Sequence, residues 1–187
     1  MRRRTVLLGL MSLSACGGQL YGAATDDPGQ PFALPGPSRL RIAIFEIDQL
    51  RFPFHAGVII HSPEARILYD PGGYWHHEQA PRIGDVSHGM TPELEAHYFA
   101  RDTLQGLPFR WTLHLFETEV PDEVARRAVA LAQKRDILPP GLCVPGTVSL
   151  LRKLPGFGDL PMSLLPGVLL GALRRRDDLE YTRKPAG

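Results

Sequence analysis

Runs of alternating apolar and polar positions open the chain's folded part. Leu40 to Ile47 sets Leu40, Ile42 and Ile44 on one face and Ala43, Phe45 and Ile47 on the other, which predicts a strand. His55 to His61, built around Ala56-Gly57-Val58-Ile59-Ile60, predicts a second. After the turn Ser62-Pro63-Glu64, Arg66 to Tyr69 predicts a third, stopped by Asp70-Pro71-Gly72-Gly73, so the pair forms an antiparallel hairpin. Tyr74 to Met90 has little pattern and is expected to be a long loop. Thr91-Pro92-Glu93 starts a helix, with Thr as N-cap and Pro at the first helical position, running to about Leu104. Arg110 to Val120 predicts a fourth strand, with Trp111, Leu113 and Leu115 on one side. Pro121-Asp122-Glu123 opens a helix to near Asp136 whose apolar stripe is Val124, Ala128, Leu131 and Ala132. Leu142 to Leu154 follows with a helical period, and Leu160 to Leu173 is an apolar, core-packed helix too short and too broken by Pro161 and Pro166 to span a membrane.

The N-terminus has a different character. Arg2, Arg3 and Arg4 precede a short apolar run from Thr5 to Leu13, and Leu13-Ser14-Ala15-Cys16 follows. This resembles a lipobox, in which the signal is cut before cysteine and the Cys16 thiol carries the lipid. An ordinary secretory signal, or a cytosolic protein with an apolar start, is the plainer alternative. Arg3-Arg4-Thr5-Val6-Leu7 also loosely fits a twin-arginine signal, so export through the general or the folded-state route stays open. The lipobox implies a bacterial envelope protein held at a membrane by its N-terminal lipid, on the periplasmic side. Gly17, where sorting signals place Asp, implies the outer membrane in a Gram-negative host. The expected organisation is a signal peptide over 1–15, a flexible tether over 16–38, one domain over 39–176 and a polar tail over 177–187.

Composition narrows the class. Removing the signal leaves about 170 of the 187 residues, one domain's worth. Hydrophobic residues make up 43% of the chain, enough for a core, and a net charge of +1 gives no reason to expect nucleic acid. The chain has two cysteines. If Cys16 carries lipid, Cys143 is the one remaining thiol and has no internal disulfide partner. An odd cysteine in an oxidising compartment points to reactivity or intermolecular pairing, and a buried space-filler fits the same fact.

Leu142-Cys143-Val144-Pro145-Gly146 puts that thiol just ahead of a proline and an apolar-periodic run, hence at or just before a helix N-terminus. Unpaired N–H groups and the helix dipole there stabilise a thiolate and can donate to an oxyanion. Gly146 is a mild cost to the helix. A nucleophilic cysteine needs an imidazole, and of seven histidines His55 stands out, opening a strand beside small Ala56 and Gly57. Asp70 closes the neighbouring strand and is a candidate to orient the ring. Tyr69 points to the opposite face of a regular strand, so only one of the two can serve. His61 shares the strand and face period of His55 but sits beside the turn, as a strand-end surface residue. Trp75-His76-His77-Glu78 lacks a helical i, i+4 pair or a second ligand cluster, so it is expected to be a loop tract rather than a metal site. His88, His97 and His114 show no partner in sequence. Arg174-Arg175-Arg176 is expected to be a solvated basic helix end, with anionic lipid as the alternative contact.

His55-Ala-Gly-Val-Ile-Ile, the hairpin through Ile67-Leu68-Tyr69-Asp70 and the helix at Cys143 resemble the permuted NlpC-type branch of papain-like enzymes, which includes lecithin:retinol acyltransferase-like proteins. The likeness covers roughly Leu40 to Leu173. Unpermuted members carry the cysteine first; here the histidine strand comes first. The resemblance implies an α+β papain-like fold, circularly permuted, with an antiparallel sheet packed on helices and the nucleophile at a helix N-terminus. It also implies Cys143 as nucleophile, His55 as base and a polar residue on the next strand as orienter, with no cofactor and no metal. Many relatives have Asn where this chain has Leu142, and their orienting residue falls one or two positions from Asp70. The implied activity is a thiol hydrolase (amidase or peptidase) or an acyltransferase on peptide, peptidoglycan or lipid. A catalytically inactive envelope lipoprotein with a binding or scaffolding role is the alternative. Only the papain-like arrangement requires His55 and Cys143 to meet, with the sulfur roughly 3–4 Å from an imidazole nitrogen, in a cleft.

Overall fold

A computed structural model of the protein describes residues 27–100 and 110–185. Over these residues the chain is α+β. One antiparallel sheet takes the order β4-β5-β3-β2-β1-β6-β7. The strands are β1 (Arg39–Ile47), β2 (Phe52–His61), β3 (Arg66–Tyr69), β4 (Arg82–Ile83), β5 (Val86–Ser87), β6 (Trp111–Glu119) and β7 (Glu180–Pro185). Four helices occur among the described residues: α1 (Pro92–Phe99), α2 (Asp122–Gln133), α3 (Cys143–Leu151) and α4 (Pro166–Leu173).

Alternation explains the layers. β1 is central, paired with β2 on one side and β6 on the other. Its Leu40, Ile42 and Ile44 face one core with Val58, Ile60 and the buried sides of α2, α3 and α4. Ala43 and Phe45 face the other core with Ile59, Leu68, Trp111, Leu113 and Leu115, closed by Leu94 and Tyr98 of α1. Each large apolar side chain buried this way contributes about 1.5–3 kcal/mol, so the two-sided burial of β1 anchors the sheet.

Local chemistry sets the helix starts. Thr91 caps α1, its hydroxyl accepting from the Leu94 N–H at 3.3 Å, with Pro92 following. α2 begins after Pro121 with Asp122 and Glu123 in its first turn, where acidic groups suit the dipole. It packs through Val124, Ala125, Ala128 and Ala132 and ends at Gln133, short of Asp136.

Several boundaries depart from expectation. α1 ends at Phe99, and residues 101–109, including the expected end near Leu104, lie outside the described residues. The apolar run from Leu160 is helical only from Pro166, because proline suits the first turn but not a helix interior. The expected loop after Tyr74 holds the two-residue strands β4 and β5, too short to show a period. Within the stretch expected as a polar tail, Glu180–Pro185 forms β7, pairing along β6 from Glu117–Glu180 to Thr112–Pro185. β7 is an edge strand with mostly solvent-facing side chains, so its backbone bonds carry no apolar alternation to read. Residues 27–38 hold no helix or strand. Even so, the Phe32 carbonyl accepts from the Arg66 N–H at 2.6 Å, and Ser38 Oγ donates to Asp122 at 2.7 Å.

Candidate active site

The site begins where β3 stops. The turn after Tyr69 closes with the Gly73 N–H donating to the Asp70 carbonyl at 3.0 Å, and Gly72 takes a left-handed φ of 60°. β3 pairs with β2 only from Val58 to His61, so the Phe54–Ala56 edge of β2 is left open on that side. The start of α3 fills this opening. Thr147 Oγ1 donates to the Ala56 carbonyl at 3.4 Å, and Cys143 Sγ lies 4.0 Å from the Phe54 carbonyl. Gly146 permits the approach: a Cβ there would sit 2.6 Å from Pro71 Cβ and 2.7 Å from Leu138 Cδ1. The mild helical cost of this glycine is thus exchanged for close packing against the turn that carries Asp70.

Cys143 is the first residue of α3, and its neighbour Leu142 gives no side-chain cap. The Cys143 and Val144 N–H groups of the first turn therefore have no side-chain cap, while Pro145 has no N–H and the Gly146 N–H donates to the Leu142 carbonyl at 2.9 Å. Burial pushes the thiol's pKa up, but the His55 hydrogen bond and charge, with the Ala56 and Val144 N–H groups, pull it down. The balance lies below the ordinary cysteine value, as thiolate stabilisation at a helix start requires.

His55 Nε2 lies 2.6 Å from Asp70 Oδ1. Continuing the Val58–Tyr69 register puts Gly57 opposite Asp70, so His55 and Asp70 are diagonal neighbours on one face. With Nε2 engaged by the carboxylate, Nδ1 is the ring nitrogen left to serve the thiol. Asp70 is fully buried and held from several sides. Tyr98 Oη donates to the same Oδ1 at 3.1 Å, and Arg82 Nη1 stands 3.6 Å from Oδ2. Arg82 also donates to the carbonyls of Trp75, Gly84 and Gly73 at 2.7, 2.9 and 3.1 Å. Its partner Asp85 accepts from the Leu138 N–H at 2.8 Å, tying β4 and β5 to the approach to α3. The His55 ring, the Tyr98 hydroxyl and the Arg82 guanidinium thus surround a carboxylate whose burial without partners would be costly.

Two glycines make room for that carboxylate. A Cβ on Gly73 would sit 1.9 Å from Asp70 Oδ2, and one on Gly57 would sit 2.4 Å from Tyr98 Oη. Both glycines are visible in sequence, but nothing local says what they avoid. Tyr98 and Arg82 therefore escape sequence reasoning: each reaches Asp70 only through the fold.

The other candidates fall elsewhere. Tyr69 lies on the opposite face, under the Arg135 guanidinium at 5.9 Å, and burial pushes its hydroxyl up to about 12. His61 sits half-buried at the far end of β2, where burial, Arg66, Arg41 and Arg39 lower it to about 4. His77 and His97 face one another at 4.9 Å beside Trp75, and His76 is exposed. No group of three or more His, Cys, Asp or Glu placed to hold a metal occurs among the described residues. His88 is buried, which lowers its pKa. His114 is fully buried beneath β7, with Nδ1 2.8 Å from Tyr181 Oη. Cys16 and the rest of the expected lipobox lie outside the described residues. Among the described residues no helix is long and apolar enough to cross a membrane.

The class defined by this geometry is a cysteine at a helix start, an imidazole against it and a buried carboxylate behind the imidazole. Comparison with protein-family models, curated proteins and solved structures finds no match.

Proposed function

We propose that this protein is a cysteine hydrolase or acyltransferase of the permuted papain-like kind, anchored to a bacterial envelope membrane through lipid on Cys16. His55 takes the proton from Cys143, and the thiolate attacks the carbonyl carbon of an amide or ester. The Cys143 N–H, which has no intrahelical partner, donates to the developing oxyanion. The imidazolium then protonates the leaving amine or alcohol, and water or an acceptor resolves the thioester. Asp70 fixes the ring so that Nδ1 faces the sulfur, and Tyr98 and Arg82 hold Asp70. The observation that carries this reading is the 2.6 Å contact of His55 Nε2 with a fully buried carboxylate, on a ring hydrogen-bonded to the thiol. Incubation with an activated acyl ester, followed by intact-mass measurement, should show one added acyl group. Cys143→Ala should abolish it; acylation that survives in that variant refutes the assignment.

One observation favours a second reading, an inactive envelope protein that uses the fold for binding. Only 4% of Cys143 and 7% of His55 is open to solvent. On that reading the thiol stays unmodified until the protein unfolds.

A further inference from the structure

The stretch from Pro161 to Leu173 holds no charged residue and ends at Arg174-Arg175-Arg176. A helix apolar on all sides belongs in a core, yet α4 and the segment leading into it leave apolar side chains uncovered. Leu164 is 64% exposed, and Leu165 and Val168 are exposed as well. The β1–β2 hairpin tip behaves in the same way, with Leu50 65% exposed and Phe52 also open. The two elements adjoin: a Cβ on Gly167 would lie 3.8 Å from Pro53 Cγ. Arg51 of the hairpin and Arg174 at the end of α4 also line one open cavity of about 510 Å³, with Arg183, Glu46 and Asp48. Exposed apolar side chains thus sit on two adjoining elements, more of them than singly scattered surface leucines would account for.

We infer that this surface docks on an anionic lipid bilayer, with Leu50, Phe52, Leu164, Leu165 and Val168 entering the interface. Its charge pattern favours lipid over a second copy of the chain. Exposed Arg51 lies between Leu50 and Phe52, and exposed Arg175 follows α4 beside Arg174, which also donates to Tyr181 Oη at 3.2 Å. Of the two nearby carboxylates Asp48 already accepts from Thr112 at 2.7 Å while Glu46 lies 3.4 Å from His114. A self-complementary dimer would set the same basic border against itself, whereas anionic headgroups complement it. Apolar side chains bordered by arginine suit the headgroup boundary. The proposal does not rest on the thiol chemistry. Docking would nevertheless hold the His55 end of β2, three residues beyond Phe52, close to the membrane surface.

The test uses the full chain and vesicles of phosphatidylcholine with phosphatidylglycerol, prepared with and without brominated acyl chains. Phe52→Trp and Val168→Trp place fluorescent probes on the two elements, and the unsubstituted chain, with Trp75 and Trp111 buried, supplies the background. Glu123→Trp is the control. It lies in the first turn of α2, beside the Ser38–Asp122 contact and across the nine-residue β1 from the hairpin tip. Because bromine quenches only nearby rings, the readout is independent of how the N-terminus holds the chain to the vesicle. Quenching several-fold stronger for Phe52→Trp and Val168→Trp than for Glu123→Trp, rising with phosphatidylglycerol, is the expected result. Equal quenching of the three probes would overturn the inference. So would a sedimenting dimer of the unsubstituted chain that Leu164→Asp dissolves, since a second copy would then cover the surface.

Discussion

Gly57→Ala tests the arrangement behind His55 at its tightest point. The added Cβ would lie 2.4 Å from Tyr98 Oη, 3.2 Å from the Tyr69 carbonyl oxygen and 3.3 Å from Asp70 Oδ1. Ordinary contact begins near 3.4 Å, so the tyrosine must move by about an ångström and release the carboxylate. Losing a hydrogen bond to a charged group costs about 1.5–3 kcal/mol. Overpacking adds about 1–3 kcal/mol, and the strand gain of alanine over glycine returns about 0.5–1 kcal/mol. A net destabilisation of about 2–5 kcal/mol follows from those three contributions. Urea unfolding followed by circular dichroism measures it. Tyr98→Phe alone should cost about 1.5–3 kcal/mol through the same lost bond. In combination, removing the hydroxyl removes the obstacle, so Gly57→Ala with Tyr98→Phe should cost clearly less than the sum of the two. Strict additivity of the single changes would refute the claim that Gly57 exists to seat the Tyr98–Asp70 bond.

Two further outcomes follow from the site and the N-terminus. Asp70→Ala removes the group that holds the His55 ring; turnover of an acyl ester should fall, by up to about 10⁴-fold on the serine-protease precedent, with the fold retained by circular dichroism. Full activity in that variant would remove Asp70 from the mechanism. Mass spectrometry of protein isolated from a bacterial envelope should find Cys16 as the first residue and lipid-modified, and a mature chain beginning at any other residue contradicts the lipid anchor.

The parts of this fold legible in sequence are those where a period survives. β1 and β6 are nine residues each and buried on both faces over most of that length, so Leu40-Ile42-Ile44 and Trp111-Leu113-Leu115 read as strand faces directly. α2 shows its stripe because one side of the helix is wet. Cys143 at a helix start is legible because Pro145 cannot lie deep in a helix. β4, β5 and β7 were not legible: two are too short for alternation, and the third buries almost nothing. Proximity was the larger gap. Asp70 could be named as a neighbour of His55 because one hairpin joins them, and Tyr69 could be set against it by strand parity. Tyr98 and Arg82 come to Asp70 from α1 and β4, through packing that no local spacing encodes.

On the proposed mechanism His55 makes a nucleophile of an otherwise buried thiol. Burial is the largest influence on Cys143 and acts upward; the His55 hydrogen bond and charge act downward, and the balance falls below the ordinary value. The most direct test is the pH dependence of Cys143 alkylation by iodoacetamide, compared between the native chain and His55→Ala. The native thiol should react while folded, with its inflection below that of free cysteine, about 8.5. In His55→Ala burial is opposed only by the Ala56 and Val144 N–H groups, so the inflection should rise clearly above that of the native chain. Identical profiles for the two proteins, or a native thiol inert until unfolding, would contradict the account.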